Sequence, residues 1–228
     1  MTKILSATVF RWLFFAIVIL DILIVNMGDS EYRLVTKPLI LISLLAYFSI
    51  NGKHLSKSTY YLTLAALSLS LMGDISLLFD NRSNQFFILG LVSFLLAHLT
   101  YGAVFLKRRN KKFPIYLYGV LLILIAIGMA LFFYLKNDLG ALTYPVVIYI
   151  LGILFMACTA LMRIGKVPSS SFLWVFIGAL FFVASDSVLA INMFKFDVPW
   201  ANVLVMGTYA TAQYLITEGV LRQNKWVR

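Results

Sequence analysis

Residues 67–101 read LSLSLMGDISLLFDNRSNQFFILGLVSFLLAHLTY, two apolar runs around a short polar turn, and the first run carries an acid, Asp74. Each run is long enough to cross a hydrocarbon core of about 30 Å as a helix. An ionisable group in such a span costs at least ~2.5 to 3.5 kcal/mol on insertion scales, so it points to function. A second acid, Asp186, stands in a similar apolar run near the other end of the chain.

The whole chain has the same character as this stretch. Of 228 residues, 62% are hydrophobic and 12% charged, where soluble domains carry about 25% charge, and the mean hydropathy is +0.94. Eight spans can be drawn, at roughly 8–27, 36–51, 59–79, 86–106, 113–135, 141–162, 171–194 and 199–221. Within hydrocarbon each must satisfy its own backbone hydrogen bonds, which predicts an all-α bundle of eight transmembrane helices forming one transmembrane domain over residues 1–228. The N-terminal run has no small-residue cleavage site after it and is read as a retained first span rather than a signal peptide.

The formal charge of +10 could suggest a nucleic-acid partner in a soluble protein. Here the basic residues lie mostly in loops, where they meet anionic membrane lipids, and no nucleic acid is expected. Fourteen Lys and Arg fall on one side of the eight-span division: Lys3, Arg11, Lys53, Lys57, Lys107, Arg108, Arg109, Lys111, Lys112, Arg163, Lys166, Arg222, Lys225 and Arg228. Five fall on the other: Arg33, Lys37, Arg82, Lys136 and Lys195. By the positive-inside rule both termini are cytoplasmic.

Among the nine acids, Asp29, Glu31, Asp80, Asp138 and Asp197 fall in or beside the outer loops. Glu218, near the cytoplasmic end of the last span, is expected to be interfacial, reaching water or Arg222. Asp21, near the outer end of the first span, is read as either a structural partner or a site residue. Asp74 and Asp186 each come fifteen residues into an outward-running span, which at 1.5 Å per residue sets both about 22 Å from the cytoplasmic face. Their surroundings match, Gly73-Asp74-x-x-Leu77 against Ser185-Asp186-x-x-Leu189. Gly90 and Gly102 in the next span echo Gly207 and Gly219, a pattern that a duplicated four-helix unit would leave. The plainer alternative is two buried acids bonded to neighbouring helices for structure alone.

Further polar residues can join these acids. His98 and Tyr101 are three apart on one helical face, and Tyr209 and Gln213 four apart on another. Interhelical hydrogen bonding would also explain both pairs, and His98 and Gln213 are expected deeper than the acids. Lys37-Pro38 is read as the opening of the second span, with Pro in the first helical turn and Lys37 either snorkelling to headgroups or meeting a phosphate. Two histidines and one cysteine, Cys158, offer no zinc cluster, no nucleotide or nucleophile-elbow fingerprint occurs, and neither metal nor cofactor is called for.

Taken in order, Lys37-Pro38, Gly73-Asp74, the segment from Phe86 through Gly90, Phe94, His98, Tyr101, the run from Gly178 to Asp186, Tyr209 and Gln213 resemble the YhhN family of membrane proteins, which includes lysoplasmalogenases. The resemblance implies a lysophospholipid substrate whose vinyl ether bond is hydrolysed to a fatty aldehyde and a glycerophospho-alcohol. It also implies a multi-pass protein of the cell membrane in a prokaryote or the endoplasmic reticulum in a eukaryote. The chemistry suits two carboxyls, with Asp74 and Asp186 the catalytic pair and Lys37, His98, Tyr101, Tyr209 and Gln213 the substrate-binding residues. One carboxyl protonates the vinyl carbon, and the other stays ionised to stabilise the cation and activate water. Paired intramembrane acids would equally serve a small-solute or proton-coupled transporter. A scaffold would leave them without a purpose.

Overall fold

A computed structural model describes residues 6–28, 30–111 and 114–224. Lys3, Asp29, Lys112, Lys225 and Arg228 of the charge pattern lie outside the described residues. Eight long helices follow one another: α1 (Ala7–Asn26), α2 (Ser30–Asn51), α3 (Lys57–Leu77), α4 (Asn84–Leu106), α5 (Tyr118–Leu135), α6 (Thr143–Leu161), α7 (Ser169–Phe194) and α8 (Ala201–Leu221). No strand occurs among the described residues. The protein is a helical, multi-pass membrane protein.

Local chemistry sets the helix ends. Ser6, Ser56 and Ser83 cap α1, α3 and α4, each accepting a backbone N–H from the first turn, as a short hydroxyl side chain at a helix start does. Two predicted starts are corrected. α2 begins at Ser30, so Lys37 and Pro38 lie two turns inside it, because a membrane bundle tolerates the hydrogen bond that an internal proline removes. α5 begins at Tyr118, after a short 3₁₀ turn over Ile115–Leu117.

Among the described residues, seven helices are long and apolar enough to cross a membrane by themselves. α8 is not among them, yet its 21 residues span about 31 Å at 1.5 Å each. Twelve of the 21 are buried, among them Tyr209, Gln213, Thr217 and Glu218. Its polarity therefore faces the bundle interior rather than lipid, and this lowers its hydropathy without shortening its reach.

α1, α2, α3, α4, α6, α7 and α8 pack each against the next, and α8 closes on α1 and α2, forming a ring. α5 stands outside, against α6 and α7, and buries only Leu124, Gly128 and Leu135. The closest seam is α7 on α8, where small residues let backbones approach. A Cβ on Gly178 would stand 3.0 Å from the Ala212 carbonyl oxygen, and one on Gly219 would stand 2.9 Å from the Val175 nitrogen. Around Gly207 a Cβ would meet nothing within 4 Å.

Gly178→Ala and Gly219→Ala are therefore expected to lower stability by about 1–3 kcal/mol, the usual cost of overpacking. Gly207→Ala should be neutral or slightly stabilising, since alanine is the better helix former. Thermal unfolding in detergent separates the two classes, and a loss at Gly207 equal to that at Gly219 would contradict this packing. The even number of long helices among the described residues and the excess of basic residues on one side predict that both termini face the cytoplasm. A reporter fused after the last residue that reads as external would reject this orientation.

Candidate active site

Asp74 and Asp186 each come seventeen residues after the first residue of their helices, about 26 Å along. Both border one cavity of about 220 Å³, with Arg33 and Lys37 of α2, Asn192 of α7 and Tyr209 of α8 on its wall. Asp74 is one turn from the outer end of α3 and Asp186 two turns from that of α7. The cavity lies towards the predicted outer side.

The two acids have different neighbours. Asp74 is 2% exposed; Tyr209 Oη donates to its Oδ2 at 2.7 Å, and Lys37 Nζ stands 3.7 Å from its Oδ1. Lys37 is itself buried, so it turns inward to the acid instead of snorkelling outward. For Asp186, the donor is Tyr149 Oη of α6, at 2.6 Å from Oδ2. His98 Nε2 lies 3.6 Å from the same oxygen, beyond hydrogen-bond length. The His98 ring meets Phe182 and Tyr149 edge-on, at 4.6 and 5.4 Å between centroids. One carboxyl thus has a lysine to balance its charge, and the other has a tyrosine and an imidazole in an aromatic setting.

The other expected site residues fall into two groups. His98 stands beside Asp186 and not below it, while Tyr101 and Gln213 are fully buried away from the cavity wall. Tyr101 Oη donates to Gln213 Oε1 at 2.7 Å, joining α4 to α8 one turn behind Tyr209. Asp21 accepts from Thr36 Oγ1 at 2.7 Å and lies 4.0 Å from Arg33. It ties α1 to α2 next to the cavity without lining it. Glu218 reaches Arg222, at 2.9 Å, as expected, but not water: it is 3% exposed and also accepts from Tyr47 at 2.6 Å, because α1, α2 and α7 cover this end of α8.

Sequence reasoning missed Arg33 and Tyr149. Arg33 was counted with the outer loops, but once α2 starts at Ser30 it stands four residues before Lys37 on the same face. The spacing was the available signal. Tyr149 carried only a general one, a phenol in an apolar run that needs a partner. Its partner is 37 residues away on another helix. No cluster of three or more His, Cys, Asp or Glu able to hold a metal occurs among the described residues.

The YhhN family model matches residues 32–220. Lysoplasmalogenase TMEM86A of Bos taurus is 34% identical over 153 residues, covering 66% of this chain and 61% of that protein. Its Homo sapiens counterpart is 30% identical over 154 residues, with the same two coverages. The lysoplasmalogenase of Mycobacterium tuberculosis is 32% identical over 136 residues, 58% of this chain and 50% of that one. The chain thus spans between half and about three fifths of the length of these relatives. No solved structure matches it. The family match begins just before Arg33 and ends just past Gly219, so it takes in the whole cavity wall from α2 to α8, and the chain belongs to the YhhN family.

Proposed function

We propose that the protein is a lysoplasmalogenase-like hydrolase, acting on the vinyl ether bond of a lysophospholipid in the cell membrane of a prokaryote or the endoplasmic reticulum of a eukaryote. The observation that carries this is the pair of carboxyls, Asp74 and Asp186, on one cavity wall in a family with relatives named lysoplasmalogenase.

Charge balance divides the roles. Asp74, with Lys37 and Tyr209 beside it, is the ionised partner; Asp186, with no Lys or Arg paired to it among the described residues, gives the proton. Asp186 protonates the vinyl carbon remote from the ether oxygen, and the remaining carbons and oxygen become an oxocarbenium ion. Asp74 stabilises that cation and takes a proton from the water that attacks it, giving a hemiacetal. The hemiacetal hydroxyl then returns a proton to Asp186 while the ether oxygen takes one from Asp74. The carbon–oxygen bond breaks, releasing aldehyde and glycerophospho-alcohol, with one water consumed and both carboxyls restored. Glycoside hydrolases divide labour between two carboxyls around a similar cation.

Arg33 and Lys37 supply positive charge on the wall for the substrate phosphate, a natural partner for a guanidinium. Tyr149 holds Asp186 in place, with the His98 ring beside it, and Tyr101 with Gln213 braces Tyr209 from behind. The polypeptide forms one transmembrane domain built on a duplicated four-helix unit, α3 and α7 each supplying one acid.

Purified protein in micelles should release aldehyde from a lysoplasmalogen, and no release would sink the reading. Asp74→Asn and Asp186→Asn keep the side-chain volume, so the bundle should persist while kcat falls ~10² to 10⁴-fold. Because the carboxyls act together, the double variant should be little worse than the worse single one; full activity in both singles would reject the mechanism. Arg33→Gln should raise KM by about tenfold or more, in line with a charged hydrogen bond, with kcat less affected. An unchanged KM would remove Arg33 from phosphate binding.

A further inference from the structure

Beside the polar cavity lies a second one of about 70 Å³, enclosed by α4, α5, α6 and α7, with Leu91, Leu131, Ile150, Val183 and Ala190 among its walls. The two meet at Asp186, which lines both. Few polar groups face this second space, and two of its hydroxyls are engaged elsewhere: Tyr149 donates to Asp186, and Ser187 to the Val183 carbonyl at 2.7 Å. A water-filled space would need several free polar partners. This one suits hydrocarbon.

Resting on the hydrolase reading above, we propose that this groove holds the hydrocarbon chain of the lysophospholipid, and that its outer wall selects the chain by length. A vinyl ether bond is the junction between the polar and apolar parts of its lipid, and Asp186 is the junction between the polar and apolar cavities. With headgroup and glycerol among Arg33, Lys37 and Asn192 and the chain along α7, the reacting carbons come to rest at the carboxyl. On α7 the groove runs outward from Asp186 to Phe194, eight residues or about 12 Å, which sets the length of chain it can take. Its lateral wall is α5, the helix outside the ring, which buries only three residues and gives a route from the bilayer.

A chain that enters from lipid exchanges one hydrocarbon surrounding for another, so its length adds little affinity. Selection then comes from fit, because a packed wall resists overfilling. Ala190 stands one turn outward from Asp186 on the same face of α7, so a larger side chain there leaves about 6 Å of groove beyond the carboxyl, enough for a short chain and not for a long one.

The test compares the unaltered protein with Ala190→Leu on lysoplasmalogens that differ only in chain length. The matching saturated alkyl ether lysophospholipids, which bind without being cleaved, are measured in parallel as competitors of a fluorescent lysolipid. In the variant the long-to-short ratio of kcat/KM should fall about tenfold or more, and the long alkyl ether should lose competitive strength relative to the short one. Equal losses on both lengths, or unchanged ratios, would overturn the chain site. Should Ala190→Leu not fold, Leu131→Phe fills the groove from the α5 side and the same ratios decide. If the unaltered protein binds the ethers with chain-length preference that the variant abolishes, yet cleaves no vinyl ether, the chain site stands and the hydrolase reading falls.

Discussion

A carboxyl inside hydrocarbon must find a donor, and two of the carboxyls in the outer half, Asp74 and Asp186, line the cavity. Each is met by a tyrosine from another helix: Tyr209 of α8 for Asp74 of α3, and Tyr149 of α6 for Asp186 of α7. A buried polar group left without a partner costs up to several kcal/mol, so these two bonds constrain which helices can face one another. They hold α8 towards α3, with 135 residues between the bonded side chains, and so draw the end of the chain back onto its first half. The polar character of α8 follows from that position.

The same bonds leave the acids chemically unlike. Lys37 compensates Asp74, while Asp186 meets Tyr149 and His98, whose ring packs on Phe182. Two identical side chains on one cavity thus have different neighbours, the arrangement that acid–base work by a carboxyl pair requires. The wall around them is sorted in the same way, charged and polar towards α2 and α8, apolar towards α5 and α6.

The cytoplasmic half is closed by a different set of contacts. Glu218 bonds Tyr47 and Arg222, whose guanidinium lies 4.0 Å over the Trp174 ring. Ser171 donates to the Gly219 carbonyl at 2.6 Å. These contacts join α2, α7 and α8, and the close glycine approach on α8 makes room for them.

The sequence by itself determined the number of long helices, because hydrocarbon demands runs of about 20 apolar residues and leaves them no backbone partner but their own turns. It also singled out Asp74 and Asp186, because a charge in such a run stands out whatever its neighbours are. Where its rules came from soluble helices it erred: Pro38 looked like a first-turn residue, and the true start of α2 turned Arg33 from a loop charge into part of the cavity wall. Periodicity put Tyr101 and Gln213 on interior faces, but only the tilt and packing of α4 and α8 decided that they bond each other behind the site. Tyr149 and the apolar groove were out of reach, since each depends on α6 standing beside α7 with α5 outside the ring. A face of a helix can be read from local spacing; which other face it meets is set by the packing of the whole bundle.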